Sequence, residues 1–360
     1  VSRGPITKKW WKEAVFYQIY PRSFYDTNGD GIGDLPGIIE KLDYLKDLGV
    51  DALWLSPIYD SPNDDNGYDI RDYQKIMEEF GTMEDFDKLL SEVHKRDMRL
   101  IMDLVVNHTS DEHEWFKNAL EEPDSKYRDY YYFRKDDGSK TPPNNWNSFF
   151  AGSAWNYYEE SDSWALHLFS KKQMDLNWEN PEVREEVIKM VNWWLDKGVD
   201  GFRMDVINYI SKEEGLPQGN EVIGQMMGYY GIEHYYYGPK LHQFLHEIHE
   251  KAFAPHDAFS VGETPGVGMK KIDMNRRVKY STGAREAIKI QTDRETVSEE
   301  LRVLYVALTR AREKLIVTSY VNNASKSVQK IEQLIKNQGE VISPEIVINC
   351  NSYIQWILMA

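Results

Sequence analysis

Short apolar stretches alternate with amphipathic helical ones along most of this chain, and that alternation limits its fold more than any other feature. Val15–Pro21 reads as a first strand. A helix through Ile38, Leu42, Leu45 and Leu48, closed by Gly49, leads into the strand Ala52–Pro57. Thr82 stands where an N-cap belongs, ahead of a helix through Phe86, Leu89, Leu90 and Val93. The strand Leu100–His108 follows, apolar except for an acid inside it and an Asn-His pair at its end. Strand and helix taken in turn in this way predict a parallel sheet wound through crossover helices.

From Thr109 to about Lys172 the alternation stops. The stretch is polar and rich in aromatics and turn residues, and a loop that long in a compact domain reads as a small inserted domain or a functional lid. Asn180 and Pro181 then open a helix with Val183, Val187, Met190, Val191, Trp194 and Leu195 inward, closed by Gly198. The strand Val199–Val206 comes next. After a helix over Leu241–Ala252, a short strand, Phe259–Thr264, ends in the acid Glu263.

Alternation along a strand puts Arg203 and Asp205 on the same side. A cation beside a carboxylate holds it ionised, and an ionised carboxylate can act as a nucleophile. The plainer alternative is a structural ion pair at a strand end. Asp205 and Glu263 each end a parallel strand, and in a barrel of such strands those ends carry the active site. Two carboxylates in one pocket, one ionised and one protonated, are what glycosidic bond cleavage requires. His108, at an earlier strand end, can donate to a sugar hydroxyl or be a satisfied core histidine. Glu263 taken alone can be a capping acid.

The 360 residues carry a formal net charge of -16, which argues against general affinity for nucleic acid or an anionic membrane surface. The single cysteine, Cys350, allows no intrachain disulfide and favours a reducing compartment, hence a cytoplasmic location. No secretion signal or membrane span is legible, and the sequence does not specify an oligomeric state. The stretch Asp26-Thr27-Asn28-Gly29-Asp30-Gly31-Ile32-Gly33-Asp34 places oxygen-bearing groups at every second position and glycine at the sixth. That pattern predicts a calcium ion held by Asp26, Asn28, Asp30, the Ile32 carbonyl and Asp34, against the alternative of a polar turn.

Residues 10 to about 267 resemble the α-amylase superfamily, and within it the exo-acting oligo-1,6-glucosidase branch. The matching stretches are Asp103–His108, Gly201–Asn208 and Val261–Thr264, with Gln173–Pro181 as a branch marker in which Met174 stands where the family usually has proline. The resemblance implies a (β/α)8 barrel of the TIM type, with the inserted domain over 109–172 after the third strand. It implies a retaining mechanism on short α-gluco-oligosaccharides, with Asp205 as nucleophile and Glu263 as acid and base, their carboxyls about 5–5.5 Å apart. Tyr68, Asp69, His108 and Arg203 would hold the terminal glucose, with Phe150 beside it. The calcium loop matches the family's structural metal site, and Val206 resembles enzymes that prefer α-1,6 links.

The family's third carboxylate arrives in a late Asn-His-Asp stretch, which this sequence lacks. Residues 276–360 carry a net charge of +4 against -20 for residues 1–275, and the last phenylalanine is Phe259. The expected organisation is therefore a first part of the barrel over 1–108, an inserted domain over 109–172, a continued but incomplete barrel over 173–268, and a foreign α/β tail over 269–360. Within that tail, Val297–Leu315 is similar to the last motor motif of superfamily-one DNA helicases, and Arg310 matches an arginine that there contacts ATP. A phosphate cradle is absent from the sequence, so ATP hydrolysis is not expected. A fragment of a helicase–nuclease subunit is the competing identity, and for it only the tail speaks.

Overall fold

The computed structural model describes residues 9–265, the strands Lys271–Asp273 and Val278–Tyr280, and residues 324–336. The chain divides into two compact units, Val1–Val267 and Gly268–Ala360.

The first unit is built on a five-stranded parallel sheet. Its strands are Phe16–Ile19, Ala52–Leu55, Arg99–Leu104, Gly201–Met204 and Phe259–Gly262, paired in chain order. Each is shorter than the apolar stretch that announced it. The stretch Leu100–His108 is not one strand: it leaves the sheet after Leu104, and His108–Ser110 instead pairs antiparallel with Gln173–Asp175. That exchange of partners brings Asp175 opposite His108.

The helices follow the sequence signals closely. Thr82 forms a full capping box with Asp85, and Phe86, Leu89, Leu90 and Val93 are buried. Asn180 caps the helix Pro181–Asp196 through the Glu182 N–H, and every inward residue expected of that helix is buried. Trp194, in its last turn, donates to the Tyr73 carbonyl at 2.9 Å. The helix expected through Ile38–Leu48 breaks into Leu35–Glu40 and Leu42–Leu48, and Leu48 is exposed rather than buried. Gly49 closes the second piece at φ 91°, where a side chain would be strained.

Between the third and fourth strands, residues 109–172 contain the helix Glu114–Glu121 and a three-stranded antiparallel sheet of Phe133–Lys135, Trp155–Tyr158 and Ser163–Leu166. At the opposite end of the main sheet from the acids, Phe16 and Phe259 lie 5.1 Å apart, with Trp10 at 5.9 and 5.6 Å from them. The first and last strands thus curl toward each other through aromatic contact. Along the last strand, Ser260, Val261 and Gly262 are exposed.

In the second unit, Lys271–Asp273 pairs antiparallel with Val278–Tyr280, and Ala324–Ile335 is a helix. The stretch Val297–Leu315 and Cys350 lie outside the described residues.

Candidate active site

Register delivers the acids. The fourth strand pairs with the third through Arg203 and Asp103, and with the fifth through Met204 and Gly262. Asp205 and Glu263 therefore follow the ends of adjacent strands, tied by the Glu263 N–H donating to the Met204 carbonyl at 2.8 Å. Arg203 Nη1 donates to Asp103 Oδ1 at 2.7 Å and to Asp205 Oδ1 at 2.6 Å, and Nη2 lies 2.8 Å from Glu263 Oε2. One guanidinium thus serves three carboxylates. Asp103 and Asp205 are nearly closed off from solvent, whereas the Glu263 side chain is 43% exposed.

That arithmetic of charge changes the protonation expected from sequence. Arg203 alone was expected to hold Asp205 ionised. Burial first, and then repulsion from Asp103 and Glu263, outweigh it and raise Asp205 to about 8. Burial likewise raises Asp103 to about 6 despite the guanidinium. Asp103 and Asp205 share one guanidinium, so the protonation of each depends on the other.

Val206 follows at φ 35° and ψ 38°, in the left-handed region. For a β-branched residue this is strained, and such strain is stored where neighbouring contacts hold it. Here the turn aims the Val206 N–H at Glu263 Oε2, 3.3 Å away.

The profile of the family described as "Alpha amylase, catalytic domain" matches residues 18–301. The chain belongs to the alpha-amylase family. The match runs past residue 268, where the sequence changes character. The oligo-1,6-glucosidase of Bacillus cereus is 62% identical over 263 residues, 73% of this chain and 46% of that protein. The trehalose-6-phosphate hydrolase of Bacillus subtilis strain 168 is 57% identical over 254 residues, covering 71% of this chain and 44% of its own length. Among solved structures, Bacillus licheniformis trehalose-6-phosphate hydrolase superimposes with a TM-score of 0.69 at 52% identity, over 72% of this chain and 45% of that one. Isomaltulose synthase from Klebsiella sp. LX3 gives the same score and identity, over 72% and 46%. The chain spans about half the length of the curated relatives it matches. These likenesses support the glucosidase branch, and the helicase alternative receives no support from them.

Of the family residues expected to surround a sugar, the fold brings Tyr68 directly into the acid cluster: its hydroxyl donates to Asp103 Oδ2 at 3.3 Å. Asp69 is fully buried, its carboxylate accepting the N–H groups of Asp64 and Asp65 at 2.8 and 2.9 Å. His108 is also buried, bonded to protein groups and 5.2 Å from the Phe169 ring. Phe150 is 57% exposed and contacts Phe169 edge-on at 5.9 Å, which puts an open aromatic face in the same neighbourhood.

Sequence reasoning noted the acid within the third strand but gave it no part in the site. Asp103 lies at its centre, held by Arg203, Tyr68 and the Trp54 indole at 3.1 Å. The available signal was an acid inside an otherwise apolar strand. Trp54, with Arg203 5.2 Å over its ring, had no such signal.

The calcium-type loop is an array of side-chain turns. Asp26 accepts from Asn28, Gly29 and Gly31 N–H groups at 3.1, 2.7 and 2.8 Å, and these, Gly31 foremost, hold its carboxyl below the usual range. Asn28 accepts from the Asp30 N–H and Asp30 from the Ile32 N–H, at 2.9 and 2.8 Å. Asp34 is buried and caps the helix Leu35–Glu40 through the Gly37 N–H at 2.7 Å, with its other oxygen on Thr27. Among the described residues, no group of three or more His, Cys, Asp or Glu side chains is gathered as a metal site. No described helix is long and apolar enough to cross a membrane.

Proposed function

We propose that residues 10–267 are the front part of an exo-acting α-glucosidase that releases glucose from the non-reducing end of short α-1,6-linked, or α-1,4-linked, oligosaccharides with retention. The observation that carries this reading is Arg203 bridging Asp205 and Glu263 at 2.6 and 2.8 Å on adjacent strand ends. Asp205, in its ionised form, is the nucleophile. Its buried carboxylate faces the anomeric carbon, while the more exposed Glu263 protonates the leaving oxygen and then draws a proton from water. Arg203, itself held by Asp103, keeps Asp205 in place; Tyr68 and Phe150 border the glucose, and the buried Asp69 and His108 back its wall.

The relatives include hydrolases named for 1,6-linked glucosides, for trehalose 6-phosphate, and a synthase. Val206 beside the nucleophile favours the first, since a small apolar side chain there shapes the space for the leaving sugar. An activated fluoroglucoside should label the peptide containing Asp205, read by mass spectrometry, and no label should form in Asp205→Asn. Isomaltose should be cleaved faster than maltose. Equal or reversed rates, or a requirement for a phosphorylated disaccharide, would move the protein to a sister branch.

The metal reading accompanies this one. Asp26, Asn28, Asp30, the Ile32 carbonyl and Asp34 are all hard oxygen donors, and an ionised carboxylate accepts in about four directions, so even Asp26, with three hydrogen bonds, keeps a direction for an ion. A bound calcium would tie the loop after the first strand and take no part in bond cleavage. Calcium should therefore bind in a calorimetric titration and raise the melting temperature, and Asp30→Ala should abolish both effects. Absence of binding at millimolar calcium would remove the ion from the account. Location in a reducing cytoplasm and the separate origin of residues 269–360 belong to the same proposal, supported by the single cysteine and the charge change.

A further inference from the structure

Behind the acid cluster lies a second set of charges that the proposed chemistry does not use. Lys212 and Asp175 form an ion pair at 2.9 Å with both side chains closed to solvent. A buried charge is costly unless every polar direction is met. Here they are met. The three ammonium hydrogens of Lys212 find Asp175 Oδ2, the Tyr209 carbonyl at 3.0 Å and Asn107 Oδ1 at 3.3 Å. Asp175 Oδ1 accepts from the Leu168 N–H at 2.8 Å, and Oδ2 also accepts from Asn107 Nδ2 at 3.1 Å.

Asn107 is therefore gripped from both sides by opposite charges. An ammonium only donates, so the amide atom facing Lys212 is the oxygen. A carboxylate only accepts, so the atom facing Asp175 is the nitrogen. Neither can be exchanged by turning the amide over. The same Asn107 Nδ2 lies 3.2 Å from Nδ1 of His108, the next residue. Its second hydrogen points at a ring nitrogen that must then lack a proton.

On the far side, His108 Nε2 lies 3.1 Å from the Tyr68 carbonyl and 3.2 Å from Gln173 Nε2. The Gln173 amide is fixed too: its oxygen accepts from the Ser170 N–H, and its nitrogen donates to Asp65 Oδ2, each at 2.9 Å. With the proton on Nε2, His108 satisfies Asn107 and Tyr68 and only crowds Gln173. With the proton on Nδ1 it satisfies Gln173 alone and sets a donor against Asn107 and a lone pair against the Tyr68 carbonyl. Two good contacts outweigh one.

We propose that Lys212 and Asp175 are positioning residues: by orienting the Asn107 amide they lock His108 as the neutral Nε2–H tautomer, and His108 in turn anchors the Tyr68 main chain. Tyr68 then brings its hydroxyl to Asp103, the partner of Arg203. The chain of contact runs from an ion pair outside the reaction to the groups around the nucleophile. Its bearing on catalysis rests on the reading of the site given above, but the tautomer does not.

The test is nitrogen NMR of the whole chain with 15N-labelled histidine, His108 being assigned by loss of its signals in His108→Gln. In the wild type, Nδ1 should resonate in the pyridine-type region and Nε2 in the pyrrole-type region, unchanged across neutral pH. A pyrrole-type Nδ1 would overturn the proposal. In Asn107→Ala, which keeps the ion pair, and in Lys212→Met with Asp175→Asn, which removes both charges together, Nδ1 should move toward the average of the two tautomers. If either variant keeps its fold by circular dichroism and leaves Nδ1 unmoved, the ion pair does not set the tautomer. Since turnover is not the readout, failure of the glucosidase assignment would leave this result intact.

Discussion

Asp205 is where residue-level chemistry departs most from what neighbouring residues in sequence suggest. The alternation of a strand sufficed to place Arg203 and Asp205 together, because it depends on two adjacent peptide units. It could not show that Asp103, a hundred residues earlier, shares the same guanidinium, because strand register is a long-range property. That third acid sets the protonation. A free aspartate titrates near about 3.9, whereas Asp205 holds its proton up to about 8 in the folded protein. Between those values the folded chain binds more protons than the unfolded one, so this group's contribution to stability is whole below about pH 4 and is lost as pH rises to about 8. Asp205→Asn, uncharged and of equal shape, should remove that loss. Thermal melts at about pH 5 and about pH 8 should show a larger fall for wild type than for the variant, a difference on the order of 1 kcal/mol or more. Parallel falls in the two proteins would show that burial and repulsion do not control Asp205.

Elements were legible where their signals are local. The Thr82 and Asn180 caps and the buried stripes of their helices are set by spacing within a turn or two, and the fold reproduces them. Boundaries that depend on a partner were not. The stretch Leu100–His108 divides because residues 173–175 compete for its end, and nothing within the stretch itself marks that. The junction of the fourth and fifth strands shows the same dependence. A side chain at Gly201 would drive its Cβ into the carbonyl of Phe259, the paired residue of the fifth strand. Backbone cannot yield as a flexible side chain can. Gly201→Ala should cost about 2–4 kcal/mol, in the range of overpacked or strained sites, and read as a lower urea midpoint. Because this pairing also fixes Glu263 beside Asp205, labelling of Asp205 by the activated glucoside should fall along with stability. A variant as stable as wild type would mean that the two strands can separate freely at that end.

At the scale of the molecule, the incomplete barrel expected from sequence takes the form of a five-stranded parallel sheet with two unlike ends. At the end away from the acids, Trp10, Phe16 and Phe259 cover the interior by aromatic contact. At the other end, the last strand and the Glu263 side chain stay exposed. The sequence also lacks the late Asn-His-Asp stretch in which the resemblance implies a third carboxylate. Loss of one such electrostatic group typically slows an enzyme on the order of a hundredfold or more. The 360-residue chain should therefore hydrolyse an aryl α-glucoside at least about a hundredfold more slowly than the Bacillus cereus relative measured alongside it. Turnover of roughly 1–1000 per second, abolished in Asp205→Asn, would show that the exposed edge and the missing acid do not matter. The sequence by itself determined the alternating elements, the caps, the pair Arg203–Asp205, Glu263 at a strand end and the family, since each is written in spacing or in contiguous motifs. Only the tertiary structure decided that three acids share one arginine, that His108 and Asp69 are buried, that Val206 is strained, and that Lys212 stands behind Asn107. Those depend on register and burial, which bring together residues with no pattern between them along the chain.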